Sequence, residues 1–377
     1  MKHAAAERML IGLDGRPFCG PLAGTGRYVS ELCRVLDAAL PNARFVVYAN
    51  RPVSLPVNSP RWRQRFDDSA MAARLPPALW YFLRAGRLAR RDGLDVFWGS
   101  ANFLPLGLGD RIPSILTIYD FVFRFFPETL SYKHRMIYQL FFKRGLVHAD
   151  RVVTISAGTA QRLQALYGRQ ADLVVRPGVA SWFAPPPAEK VREVLATYGI
   201  DRPYFLSVST LEPRKNLEAL IQALLQLRTD HQLAQVALVL VGQQGWRDSR
   251  LRTQIERAKS EGLPIFQTGF VKDADLPALY AGAMAVVMPS LYEGFGMPVL
   301  EALRCGARVV SSDIPEMREA GGVGPIYIAP TIEGIKAGLM QAFALSTTPA
   351  LEGVIGESSS SWEEEGAHFV KLVCALR

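Results

Sequence analysis

The 377-residue chain is poor in the features that staple or anchor a protein. Its four cysteines, Cys19, Cys33, Cys305 and Cys374, stand far apart and form no C-x-x-C pair. That spacing argues against a disulfide framework and against a zinc site, and fits a reducing cytoplasm. No stretch approaches the roughly 18 uninterrupted apolar residues that a membrane-spanning helix requires. The opening MKHAAAERMLIGLDGRP lacks the sustained apolar core of a secretory signal. A cytoplasmic protein is expected, with any membrane contact peripheral, on the inner face of the cytoplasmic membrane.

What is present is a large apolar fraction, 49% of the residues. A chain of this length can bury a substantial core and is expected to form two domains. Charge is uneven along it. Residues 1–180 hold 25 lysines and arginines against 13 acidic residues, and the remainder holds 18 against 22, which together give the formal +8. A basic first half suits a partner that carries phosphates: anionic lipid, a phosphorylated substrate or nucleic acid.

Short β-rich runs alternate with segments of helical periodicity. The first series is RMLIGLDG, RFVVYAN, DVFWGS, SILTIYD, RVVTIS and DLVVRPG; the second is YFLSVST, VALVLVG, IFQTGFV, AVVMPS and ARVVSSD. Apolar strands alternating with helices predict βαβ units and parallel sheets. Between the series, Pro177, Pro185, Pro186 and Pro187 interrupt regular structure, which puts a linker near 178–190. The predicted fold is α/β, with two Rossmann-like, doubly wound domains, 1–178 and 190–360, facing a cleft. Ligands of such sheets bind beyond the carboxyl ends of the strands.

After YFLSVST, Arg214 and Lys215 stand before a helix whose Leu217, Leu220, Ile221 and Leu224 form an apolar stripe, with Asn216 expected as its N-cap. Two cations at a positive helix end call for an anion, and a diphosphate supplies several acceptors; a solvated basic turn is the plainer reading. After AVVMPS, SLYEGFGMPVLEALRCG places Glu293 ahead of a bend and Glu301 on a helix over roughly 298–305, started by Pro298 and stopped by Gly306. Gly294 and Gly296 allow the backbone to approach a ligand. A carboxylate accepts two sugar hydroxyls at once, so one glutamate could hold a ribose and the other a hexose; capping and charge compensation are the alternative. Asp273 and Asp275 form a literal D-x-D, read here as helix caps rather than metal ligands.

The run Glu293-Gly-Phe-Gly-Met-Pro-Val-Leu-Glu301 resembles the E-x7-E motif of the retaining glycosyltransferases of family four, which have the GT-B fold. GFVKDADLPALYAGAMAVVMPSLYEGFGMPVLEALRCGARVVSSDIPEMREAGG, SVSTLEPRKNLEALIQAL, VVTISAGTAQRL and IGLDGRPFCGPLAGTGRYVSEL are similar to that family in order and spacing. The likeness covers nearly the whole chain, and SWEEEGAHFVKLV, within 361–377, resembles the family's closing helix, which packs back on the first domain.

The resemblance implies roles residue by residue. Arg214 and Lys215 would neutralise the donor diphosphate, Glu301 would bind the ribose, and Glu293 with the backbone of Phe295, Gly296 and Met297 would hold the hexose. Gly24 and Gly26, in CGPLAGTGRY, would belong to the loop that approaches donor phosphate and acceptor. Where many relatives carry His-Asp, this chain has Tyr119-Asp120; an unperturbed tyrosine, with a pKa near ~10, takes no proton near neutral pH. Asp120 remains a candidate for orienting the acceptor, with Tyr119 beside it, and Arg214, Lys215, Glu293 and Asp120 form the candidate catalytic set. No cofactor and no metal are expected, because the two cations offset the phosphate charge.

The expected activity is transfer of a hexose from a nucleotide sugar to a glycan, with anomeric configuration retained. GDP-mannose is the leading donor, through likeness to mannosyltransferases of O-antigen assembly. ALWYFLRAGRLARRDG and FRFFPETLSYKHRMIYQLFFKRG mix basic and bulky apolar residues in a way that suits an anionic bilayer surface and favours a polyprenyl-diphosphate-linked acceptor. Ordinary half-buried helices explain both segments as well. A GT-B epimerase or phosphorylase, and a catalytically silent nucleotide-sugar binder, are the alternatives. Nucleic acid is not an expected partner, since no aromatic-basic motif of the known modules is present.

Overall fold

A computed structural model describes residues 9–20, 24–109, 111–228, 233–243, 249–346 and 361–376. Pro21, Leu22 and Ala23 of the glycine loop, and residues 347–360, therefore lie outside the described residues. The chain divides into two units, 1–121 with 132–178 and 360–377, and 122–131 with 179–359. Among the described residues no helix is long and apolar enough to cross a membrane.

The first unit is built on seven parallel strands: β1 (Leu10–Asp14), β2 (Arg44–Tyr48), β3 (Trp62–Arg65), β4 (Val96–Gly99), β5 (Ser114–Ile118), β6 (Arg151–Thr154) and β7 (Leu173–Val174). Their order is β3-β2-β1-β4-β5-β6-β7. Strands such as β4 and β5 are apolar and buried along their whole length because helices cover both faces of a parallel sheet. Ile11 of β1 pairs with Phe45 on one side and Val96 on the other. Strand order therefore turns back between β1 and β4, the place where open α/β sheets take ligands.

The helix Gly24–Ala39 follows β1, and the last helix, Trp362–Cys374, packs on it. Ser361 and Glu364 close a capping box at the last helix's start, each accepting from the other's backbone amide. Trp362 sets its ring edge against Tyr28 at 5.6 Å, Phe369 lies 4.8 Å from Trp98, and Glu365 accepts from the Arg176 amide at 3.0 Å. Gly178 passes so close that a Cβ there would meet the Trp362 nitrogen at 2.5 Å.

The second unit carries β8 (Tyr204–Val208), β9 (Ala237–Val241), β10 (Ile265–Gly269), β11 (Ala285–Met288), β12 (Val309–Ser312) and β13 (Ile326–Ile328), all parallel, in the order β10-β9-β8-β11-β12-β13. Its order turns back between β8 and β11. The stripe Leu217, Leu220, Ile221 and Leu224 is buried in one cluster with Phe205, Leu238 and Leu240. Residues 122–131, inside the stretch the sequence assigns to the first domain, count with this unit, where Phe125 and Phe126 lie 5.4 and 6.0 Å from the Tyr292 ring.

Candidate active site

The loops after β8 and β11 flank the turning point of the second sheet and meet there. After β8 the chain makes a single tight turn, Pro213–Lys215, and Asn216 enters the left-handed region at φ 57°. This corrects the expected N-cap: the Asn216 side chain caps nothing. Its amide donates instead to the carbonyls of Pro289 at 3.1 Å and Pro330 at 2.9 Å, tying the loops after β11 and β13 to the one after β8.

Arg214 and Lys215 face Glu293. Lys215 Nζ donates to Glu293 Oε1 at 2.5 Å, and Arg214 Nη1 to Glu293 Oε2 at 2.8 Å and to the Tyr292 carbonyl at 3.0 Å. Ser290 Oγ adds a bond to Oε1 at 2.8 Å, while Arg214 Nη2 pairs with Glu212 at 2.7 Å. The anion that two adjacent cations call for is thus supplied from within: two cations face two carboxylates and the cluster is neutral. Burial alone would raise the Glu293 carboxyl, yet Lys215 and then Arg214 outweigh it and hold it at about 2. Lys215 moves down, first because it is buried and then because Arg214 repels it, with Glu293 opposing.

The bend behind Glu293 is fixed by Gly296 at φ 117°, where a Cβ would come within 2.7 Å of Met317 Sδ. The helix that follows runs Met297–Arg304, one residue earlier than its sequence reading, with Pro298 in its first turn and no side-chain cap. Pro298 has no amide to offer, and the Val299 amide already donates to the Gly296 carbonyl at 2.9 Å, so what this helix start presents is its dipole rather than a row of open amides. Phe295 is buried. Glu301 is buried and accepts from the Tyr280 hydroxyl at 2.8 Å.

Asp273 and Asp275 do lie where a helix begins, but Asp275 caps no amide; its carboxylate accepts from the Tyr198 hydroxyl at 3.0 Å. For Asp275 the cap reading is corrected to a tie between helices.

In the first unit Gly24 and Gly26 open the helix after β1. Gly24 is exposed, and a Cβ there would meet nothing within 4 Å, whereas Gly26 is buried. Tyr119 is a core residue rather than a group facing an acceptor: its ring lies 5.3 Å from Tyr28, and its hydroxyl donates to the Ser100 carbonyl at 2.8 Å. Burial raises its phenol well above the ordinary value, which removes it further from proton transfer. Asp120, the next residue, is only partly buried.

Sequence reasoning missed a pair at the end of β1. Asp14 is fully buried and its carboxylate takes Arg16 Nη2 at 2.6 Å, with the guanidinium 4.0 Å over the Tyr81 ring. The signal was an Asp-x-Arg that begins on the last residue of the first strand, at the ligand-binding edge of the sheet.

Comparison with known proteins places these residues in context. The model of the Glycosyltransferase Family 4 domain matches residues 22–179, and that of the Glycosyl transferases group 1 domain matches 192–344. The chain is 30% identical to the O-antigen chain mannosyltransferase B of Escherichia coli, over 94% of this chain and 97% of that one. It is also 30% identical to a GDP-mannose-dependent alpha-(1-6)-phosphatidylinositol monomannoside mannosyltransferase of Mycolicibacterium smegmatis, over 61% and 63% of the two chains. Among solved structures, sucrose-phosphate synthase from Thermosynechococcus elongatus superposes with a TM-score of 0.76 at 18% identity, covering 98% of this chain and 99% of that one.

Proposed function

The chain belongs to the glycosyl transferases of group 1, and from that membership we propose that it moves mannose from GDP-mannose to a polyprenyl-diphosphate-linked glycan in surface-polysaccharide assembly. Arg214 and Lys215, beside an uncapped helix start at the turning point of the second sheet, carry the reading. Departure of a nucleoside diphosphate builds negative charge on phosphate and positive charge on the sugar, and fixed cations with a helix N-terminus answer the first. Because these cations offset the charge, transfer needs no divalent ion.

In this reading Glu301 grips the ribose, and Glu293, once the diphosphate has taken its two cations, turns its oxygens to the hexose. The leaving phosphate helps to deprotonate the acceptor on the same face, and configuration is retained. Retention is carried over from the family likeness. Mannose and GDP rest on the names of the E. coli and M. smegmatis relatives.

The acceptor's lipid places the reaction at a bilayer. Exposed Leu79, Leu83, Met136 and Leu140 share their helical segments with exposed Arg87, Arg91, Lys133 and Arg144. Apolar side chains interleaved with cations suit the headgroup region of an anionic membrane.

A panel of nucleotide sugars, scored by thermal shift and by slow hydrolysis without acceptor, tests the reading. GDP-mannose should give the largest shift, since a site built to hydrogen-bond one set of hydroxyls discriminates strongly. If a UDP-sugar stabilises the protein and GDP-mannose does not, the donor assignment fails. If no nucleotide sugar does either, the transferase reading falls with it.

A further inference from the structure

Among the described residues only Asn102 and Asn216 hold a positive φ without being glycine. Asn216 sits at φ 57° and ψ 30°, between the turn that carries Arg214 and Lys215 and the helix Leu217–Leu227. Glycine enters that left-handed region without steric cost, so backbone conformation alone would favour glycine at this position. What glycine lacks is the side-chain amide.

That amide makes two bonds. Its Nδ2 donates to the Pro289 carbonyl at 3.1 Å and to the Pro330 carbonyl at 2.9 Å. Pro289 directly follows β11 and Pro330 stands two residues beyond β13, the strands on either side of β12. Carbonyls just past a strand end have left the ladder and need a donor from elsewhere. One side chain serves two loops, and a planar amide with two fixed N–H directions holds them at a set separation.

The neighbours in sequence give this tie its consequence. Lys215, the residue before Asn216, gives Nζ to Glu293 Oε1 at 2.5 Å, and Ser290, the residue after Pro289, gives Oγ to the same oxygen at 2.8 Å. The Leu291 amide donates to the Arg214 carbonyl at 2.8 Å. The fork of Asn216 thus fixes the spacing of two chain segments whose side chains meet on one carboxylate oxygen. Lys215, Ser290 and Glu293 are all buried, so a donor moved out of reach there is not replaced by water.

We propose that Asn216 is a positioning residue for the nucleoside diphosphate: through the Pro289 and Pro330 carbonyls, its amide sets Arg214 and Lys215 against the turn that holds Glu293. The inference rests on the glycosyltransferase reading. It assigns the effect to the side chain rather than to the left-handed backbone.

The test uses the full chain with Asn216→Gly and Asn216→Asp. Glycine keeps the backbone conformation and loses the fork, while aspartate keeps the size but turns a carboxylate toward two carbonyls. In slow hydrolysis of GDP-mannose without acceptor, chemistry is slow beside donor release, so KM reads donor binding. It should rise about tenfold for Asn216→Gly and at least as much for Asn216→Asp, whereas a role in backbone conformation alone predicts a glycine variant equal to wild type.

A second readout needs no nucleotide. Burial raises the Glu293 carboxyl, but Lys215 and then Arg214 hold it at about 2, with Glu212 facing Arg214 from beside the same turn. Loosening these pairs lets the carboxyl climb toward its ordinary 4.5, so the melting temperature of Asn216→Gly should fall less steeply than that of wild type as pH drops from 4.5 to 2. A donor KM within about threefold of wild type in both variants, or an acid limb of Asn216→Gly that coincides with wild type, disproves the positioning role. A wild-type protein that hydrolyses no nucleotide sugar, beside a flattened acid limb in Asn216→Gly, would instead sink the parent reading and leave the geometry standing.

Discussion

The ammonium of Lys215 lies 2.5 Å from one oxygen of Glu293, while Arg214 holds the other oxygen at 2.8 Å. In the proposed reading, an entering diphosphate would have to take both cations from a carboxylate already in place. On that reading, docking of the phosphates and release of Glu293 toward the sugar would be one event, and a nucleoside diphosphate with no sugar attached would leave the freed carboxylate only its bond from Ser290.

Replacing either cation should be costly. Arg214→Ala and Lys215→Ala each leave developing phosphate charge uncompensated, and loss of one such partner lowers the rate by about 10²- to 10³-fold. Steady-state kcat with GDP-mannose reads this directly; variants that both stay within about threefold of wild type would remove the diphosphate from this site.

Acid should act through Glu293. Its carboxyl titrates at about 2 in the folded protein against an ordinary 4.5, so the unfolded chain binds that proton more tightly. The contribution is complete above pH 4.5 and is lost as pH falls toward 2, up to about 3 kcal/mol for this buried group. Melting curves of Glu293→Gln should show a flatter acid limb than wild type. Coincident limbs would contradict the ion-pair origin of the shift.

The Tyr280 hydroxyl is a partner of buried Glu301. Tyr280→Phe should destabilise the protein by about 1–3 kcal/mol in urea titration. Calorimetry with free GDP should show weaker binding for Tyr280→Phe and for Glu301→Gln, whereas Glu293→Gln should mainly lower turnover. Equal loss of GDP affinity in the two glutamate variants would refute the division of labour.

Chelation should matter little. If Arg214 and Lys215 face the diphosphate as proposed, and with Asp275 tied to Tyr198, EDTA is expected to leave transfer intact. Activity that vanishes with EDTA and returns with magnesium or manganese would show that a divalent ion shares the load.

Much of the fold is legible in the sequence because interior parallel strands are written as apolar runs. The strands that escaped notice, β3 and β13, are at the outer edges of their sheets. WRQR of β3 is polar and IYI of β13 is three residues long, and edges need neither full burial nor length. The grouping of Arg214, Lys215 and Glu293 could be anticipated because each follows a strand. What Asn216, Asp275 and Tyr119 do could not: local rules assign Asn and Asp to caps, whereas all three make bonds to residues distant in sequence. The Asp14–Arg16 pair was hidden for a related reason, since its meaning lies in the Tyr81 and Ala101 positions it meets.

The closing helix gives the order of synthesis a physical consequence. Residues 1–178 can leave the ribosome with all seven strands of the first sheet, but without the Trp362–Cys374 helix. Until that helix arrives, the edge of Tyr28, the ring of Trp98 and the Arg176 amide lack the partners they have in the finished protein. The whole second unit is made in the interval. The part of the molecule translated first is thus the last to be completed, and a chain cut short by its final fifteen or so residues would lose the cover of the older half rather than the newer.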